Sequence, residues 1–281
     1  MNSGTVNTVV RQLGVLLFAC CALAQASRPQ HAHLSLISAQ TSTAASASQW
    51  IGLRFQLDPG WHIYWTNPGD SGEPPKVIWH LPGGVQAGDL QFPSPHRIQD
   101  HGLTDYGYES EVVLLSKLTG AASKASEIAA DVRYLVCREV CIPGKDHVSL
   151  KLAGQSATSA DAELIRSTQA HLPQALPSGA QVSAALEPDA LMIKVAGKGA
   201  SLGEITDFIP ADAQVIENSA KPVIQGSAGM WRIRVKKSEQ LDHPVPRLRG
   251  LLVTRDRSYN VDVPVARAQK SSQKGLAPKH S

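Results

Sequence analysis

The feature that most constrains this 281-residue chain is alternation, because over much of its length apolar side chains return at every second position. Ile51, Leu53, Phe55 and Leu57 are interleaved with Gly52, Arg54 and Gln56, and Ile128, Ala130, Val132, Tyr134 and Val136 with Ala129, Asp131 and Arg133. Successive side chains of a strand point to opposite faces, so each such segment reads as a half-buried strand. Further strands are expected at His33 to Ile37, Trp61 to Trp65, Lys76 to Trp79, Val112 to Leu118 and His147 to Leu152. Turn signals such as Asp58-Pro-Gly60 and Asn67-Pro-Gly-Asp-Ser-Gly72 separate them. Many short strands with Pro/Gly punctuation predict an all-β fold of the β-sandwich kind.

Between Thr158 and Pro173 the period changes. Thr158 is a candidate helix cap with Asp161 in the first turn, Leu164, Ile165 and Leu172 lie on one side, and Pro173 and Pro177 stop the run. Alternation then resumes at Leu191, Ile193 and Val195, at Trp231, Ile233 and Val235, and at Tyr259, Val261 and Val263. The expected organisation is a first β-sandwich over 30–153, a helical linker over 154–178, a second β-sandwich over 179–267, and a disordered basic tail over 268–281.

The N-terminus reads as a signal peptide over 1–26, with Arg11 before an apolar run from Leu13 to Ala24 and small residues suited to cleavage. That run is too short for a membrane-spanning helix, which needs about 20 apolar residues. Export to the periplasm is expected, and the mature chain carries no other segment of spanning length. Cleavage removes Cys20 and Cys21 and leaves Cys137 and Cys141, which an oxidising compartment would join. It also removes one base and no acid, so a formal charge of 27 − 24 = +3 becomes 26 − 24 = +2. Nucleic acid is not expected as a partner on that balance.

In a straight strand four residue steps would hold Cys137 and Cys141 roughly 13 Å apart, against the 4.4 to 6.8 Å or so a disulfide needs. The chain must therefore bend through Arg138, Glu139 and Val140, by a helical turn or a tight loop, with Pro143-Gly144 as a second change of direction. So small a ring removes little unfolded-state entropy, which tilts the pair toward redox exchange over stapling. A disulfide that merely shapes a turn is the competing reading. The ten histidines show no zinc spacing with the cysteines, so no metal ligands are assigned, although two thiolates and a histidine suit Cu(I). Solvated or hydrogen-bonded surface histidines are the plainer account. The rings of Trp61, Tyr64, Trp65 and Trp79 read as core, and Asp105-Tyr-Gly-Tyr-Glu-Ser110 as a Gly-containing turn.

Two segments in order, Pro59-Gly-Trp-His-Ile-Tyr-Trp-Thr-Asn-Pro-Gly-Asp-Ser-Gly-Glu-Pro-Pro75 and Tyr134-Leu-Val-Cys-Arg-Glu-Val-Cys-Ile-Pro143, carry a family resemblance. The region from about residue 32 to 152 resembles the N-terminal periplasmic domain of DsbD-type thiol:disulfide interchange proteins, especially their ScsB-like relatives. The second half, ending Tyr259-Asn-Val-Asp-Val-Pro-Val265, is similar to the extra β-domain of the longer relatives. The resemblance implies an immunoglobulin-like domain that passes electrons from a membrane-embedded or thioredoxin-like donor to oxidised periplasmic proteins, without a cofactor. It implies that Cys141 enters mixed disulfides and Cys137 resolves them, and it aligns Asp105 and Tyr106 with a cap loop that shields the pair. The membrane and thioredoxin-like domains of familiar members have no counterpart in the sequence, so a separate reductase is expected as donor. A non-catalytic binding module with a structural disulfide and a copper-binding stress protein are the alternatives.

Overall fold

The computed structural model describes residues 30–40, 48–100, 102–120, 126–152, 158–197, 202–227 and 229–267. The expected signal peptide and basic tail lie outside these residues. Ten strands come first: β1 (Ala32–Ser38), β2 (Ser48–Leu57), β3 (His62–Gly69), β4 (Lys76–His80), β5 (Val85–Ala87), β6 (His96–Asp100), β7 (Leu103–Glu109), β8 (Glu111–Gly120), β9 (Ser126–Cys137) and β10 (Cys141–Leu152). The helix α1 (Ala162–Ala170) follows. Seven more strands complete the described fold: β11 (Ala180–Leu186), β12 (Ala190–Gly197), β13 (Ile205–Pro210), β14 (Val223–Ser227), β15 (Met230–Lys236), β16 (Arg247–Thr254) and β17 (Ser258–Arg267).

The first ten strands form two facing sheets, one in the order β1-β2-β8-β5, the other β10-β9-β3-β7-β6 with β4 also paired to β9. Their inner faces meet through Leu53, Phe55, Leu114, Ile63, Tyr106 and Val132, all fully buried or nearly so. Apolar contact of this kind is the main stabilising term of the sandwich. In β8 the run Val112 to Leu115 is apolar at every position because both faces are covered. Val112 and Leu114 face the inter-sheet core, whereas Val113 and Leu115 join Ile37 in a separate cluster under Ile165 of α1.

The helix is therefore a lid on the outer face of the four-stranded sheet as well as a connection. Its N-cap is Asp161 and it begins at Ala162, later than the sequence reading placed it. Thr158 forms an isolated β-bridge with Gln40 three residues before that cap, too early to cap the helix.

The second half is one seven-stranded sheet, β13-β16-β17-β11-β12-β15-β14, folded over its own core of Ile193, Val195, Phe208, Ile233, Leu252 and Val261. β17 allows the fold to close, pairing antiparallel with β16 along its first part and parallel with β11 at Val265 and Ala266. The two halves share a seam with an apolar part, since Ile209 and Leu251 of the second belong to the core cluster of the first.

Two turn assignments change in the structure. Gly107 lies inside strand β7, where a Cβ would stand 2.1 Å from the Ile63 carbonyl oxygen, so it marks close strand contact. The turn falls at Ser110, whose φ is 63°. Pro143 and Gly144 likewise sit inside β10, which begins at Cys141. β10 is an edge strand and tolerates a residue without N–H. Gly144 leaves room for the Tyr134 ring, which a Cβ would meet at 2.3 Å.

Candidate functional site

The cysteine pair sits at the tip of the β9–β10 hairpin. Antiparallel pairing places Cys137 directly opposite Cys141, with Cα atoms 4.2 Å apart and the sulfurs joined in a disulfide. Of the two bends the sequence allowed, the chain takes the tight loop: Arg138, Glu139 and Val140 reverse it, and the Arg138 N–H donates to the Val140 carbonyl at 3.2 Å. The Arg138 guanidinium lies 5.4 Å over the Trp61 ring, whose other partner is the stacked His31 ring at 3.8 Å. This anchors the loop at one side.

The two cysteines differ in access. Cys137 is 1 % exposed, while Cys141 and the three loop residues are open to solvent, with Val140 62 % exposed. An exposed cysteine beside an exposed apolar side chain suits contact with another protein.

Behind the disulfide lies a polar layer that sequence reasoning did not assemble. His62 of β3 pairs in register with Cys137, and Tyr64, two residues on, points to the same face. The Tyr64 hydroxyl is 3.5 Å from Cys141 Sγ, 3.2 Å from Ser71 Oγ and 3.3 Å from His62 Nε2. Ser71 donates from its N–H to Asp105 Oδ1 at 2.9 Å and from its hydroxyl to Asp105 Oδ2 at 2.7 Å. His62 Nε2 stands 3.7 Å from that same oxygen. Gly72 makes the approach possible, since its φ is +76° and a Cβ there would lie 2.1 Å from the Tyr64 ring.

The electrostatics follow from burial and these bonds. Burial alone would raise the Asp105 carboxyl, but the His62 and Ser71 hydrogen bonds outweigh it and hold the group below its ordinary value. Burial raises the Tyr64 phenol, which the Ser71 bond opposes and the Asp105 charge reinforces. Tyr64 therefore stays protonated at neutral pH and can donate to sulfur.

Of the four residues proposed from sequence, Cys137 and Cys141 meet, and Asp105 reaches Cys141 through Ser71 and Tyr64. Tyr106 faces the core of the sandwich and not the disulfide. It is fully buried, its hydroxyl donates to Asn218 Oδ1 at 3.0 Å, and Arg97 lies over its ring. The reason is parity, since neighbours in a strand face opposite ways and Asp105 takes the side of the disulfide. His62 is buried, 4 % exposed, where a surface histidine was expected. The sequence signal that was available was the even spacing of His62 and Tyr64 against Ile63 and Trp65.

Residues 33–153 match the family described as thiol:disulfide interchange protein DsbD, N-terminal. Over those residues the first sandwich is similar to the DsbD N-terminal domain family. The fold of the longer chain is similar to the crystal structure of the N-terminal periplasmic domain of ScsB from Proteus mirabilis. That likeness has a TM-score of 0.66 at 20 % identity and covers 85 % of this chain and 94 % of the other. At 85 % of this chain the shared fold takes in both halves. The reduced DsbD n-terminal domain from Neisseria meningitidis matches over 44 % of this chain and 88 % of its own at 12 % identity, with a TM-score of 0.27, too slight a likeness to argue from. A comparison with curated proteins gives no match. Among the described residues no helix is long and apolar enough to cross a membrane.

Proposed function

We propose that the hairpin disulfide is a redox relay, taking electrons from a DsbD/ScsB-like membrane reductase or thioredoxin-like donor and passing them to oxidised periplasmic proteins. The observation that carries this reading is the unequal access of the two sulfurs within a DsbD-type domain. In the reduced domain the exposed Cys141 thiolate attacks one sulfur of a partner disulfide, forming a mixed disulfide and releasing the partner's other sulfur as thiolate. The buried Cys137 thiolate then attacks Cys141 Sγ. Two electrons leave with the reduced partner, and the Cys137–Cys141 bond re-forms. Recharging by a donor dithiol runs these steps in reverse. The periplasmic setting rests on the signal-like N-terminus and on the compartment named for the ScsB domain.

Cys137→Ser, reduced and offered to periplasmic extract, is expected to accumulate mixed disulfides on Cys141, visible as dithiothreitol-sensitive bands on a non-reducing gel. Absence of any such species, with a native disulfide that resists a strongly reducing glutathione buffer, overturns the relay.

Tyr64 has a distinct part in this reading. Its hydroxyl donates to the Cys141 thiolate, and a hydrogen bond to a charged group contributes about 1.5 to 3 kcal/mol. At 3.5 Å the contact sits at the weak end of that range. Tyr64→Phe is expected to raise the Cys141 pKa by about one unit, read from the pH profile of iodoacetamide alkylation of the reduced domain. An unmoved profile removes Tyr64 from the mechanism and leaves it a packing residue.

A further inference from the structure

On the outward face of the six-stranded sheet, well away from the disulfide, three ligand-bearing side chains converge from three adjacent strands. His80 ends β4, Asp131 is in β9 and His147 is in β10. Asp131 and His147 are direct cross-strand partners, and His80 pairs with Ala129, one same-face step along β9 from Asp131. His80 Nε2 lies 2.8 Å from Asp131 Oδ2, and His147 Nδ1 lies 2.8 Å from Asp131 Oδ1. One donor atom from each residue falls within 4.8 Å of the others.

We propose that His80, Asp131 and His147 form a binding site for a divalent transition cation of Zn2+ type. Two imidazole nitrogens with one carboxylate oxygen are a donor set for zinc or copper and a poor one for calcium or magnesium, which favour all-oxygen shells. Donor atoms of a tetrahedral ion at about 2.0 to 2.2 Å from the metal stand about 3.4 Å from one another. Small rotations of three solvent-facing side chains therefore convert the present N–H···O contacts into ligation. Each ring moves its proton to its other nitrogen, and water fills the remaining position.

The surroundings set the strength. Glu127 rims the same shallow hollow as His80 and His147 and adds negative charge. The next row of the sheet on the other side is Lys76, Arg133 and Lys145, paired across the same three strands. Two residues along a strand span about 7 Å, so these cations oppose the ion across solvent and weaken its binding.

The site does not depend on the redox reading. It is tested on the oxidised protein, so that no thiol competes for metal. Isothermal titration with Zn2+ is expected to show one equivalent bound, and the Co2+ form to show a visible d–d band. Alteration of outer-shell partners alone commonly weakens metal binding 10- to 100-fold, so His80→Ala and His147→Ala should each weaken it by at least about tenfold. His243→Ala, at an exposed histidine elsewhere, should leave it unchanged. The ligands are half-exposed, with side chains at 51 %, 37 % and 61 %, so the variants should melt like the parent and the loss cannot be ascribed to unfolding. No saturable Zn2+ binding, or binding that survives His80→Ala/His147→Ala in one folded chain, overturns the proposal.

Discussion

Cys141→Ser is expected to bring thiol-disulfide exchange down to the uncatalysed background, while Cys137→Ser retains one stoichiometric attack and loses turnover. The asymmetry follows from access and chemistry together. A thiolate must reach a sulfur of the partner in line with the bond that breaks. Cys137, 1 % exposed and flanked by β3, cannot present itself to a folded partner. Cys141 stands at the start of an edge strand beside the open side chains of Val140 and Glu139. With Cys141 removed, the remaining thiol lacks a path. With Cys137 removed, the mixed disulfide forms and nothing resolves it. Insulin reduction followed in the presence of a donor dithiol should be null for both variants. Mass spectrometry should find about one partner adduct per chain only in Cys137→Ser, one thiol being available per molecule. Equal adducts on both variants would remove the assignment of unequal roles.

Parity along a strand made most of the first sandwich legible, because each alternating run buries one face and its bounds follow from the next turn residue. It failed where burial is two-sided or partners are remote. Val112 to Leu115 betrays a strand, but nothing local says that α1 covers its second face. β5, β6 and β13 are short and weakly patterned, and they pair only because neighbouring strands offer edges. The hairpin bond between Cys137 and Cys141 was accessible because both residues belong to one turn. The layer behind it was not, since His62, Tyr64, Ser71 and Asp105 come from different segments whose meeting is fixed by the β3–β7 and β3–β9 registers. The same limit hid His80, Asp131 and His147, whose sequence spacing resembles no metal motif. Aromatic residues deceived for another reason. A strand offers them either face, so Tyr64 came to the disulfide and Tyr106 to the seam with the second half.

That seam carries the largest expected effect on stability. Arg97→Ala is expected to cost about 3 kcal/mol, the lower end of what breaking a buried ion pair costs. For a chain of this size that lowers Tm by about 6 to 12 °C. Arg97 Nε and Nη2 donate to the two Asp207 carboxylate oxygens at 2.6 and 3.1 Å. Its remaining N–H groups reach the Asn218 carbonyl at 2.7 Å, the Phe208 carbonyl at 3.1 Å and the Tyr106 hydroxyl at 3.3 Å. Burial opposes the charge, but the Asp207 hydrogen bond together with the Tyr106 and Asp207 interactions outweighs it and holds the guanidinium above its ordinary value. With side chains only 12 % and 20 % exposed, solvent does little to screen the pair. Removing Arg97 therefore strands a carboxylate and two carbonyls at once. Arg97→Lys should restore only part of the loss, because an ammonium cannot match the bidentate fork. Arg54→Ala, breaking a more exposed pair with Glu111, should cost under about 1 kcal/mol. Urea unfolding distinguishes these cases, and equal losses for Arg97→Ala and Arg54→Ala would show that the seam pair is no stronger than a surface one. The effect should also reach the cysteines. The loop that delivers Ser71 to Tyr64 is tied to the second half by Asn67 Nδ2 donating to the Pro210 carbonyl at 2.9 Å and by Asn218 Nδ2 donating to Asp70 Oδ1 at 2.8 Å. Asn218 also accepts from Tyr106 and, through its carbonyl, from Arg97. Loosening this node frees the loop, weakens the Tyr64 donor and should move the Cys141 alkylation profile of Arg97→Ala in the same direction as Tyr64→Phe.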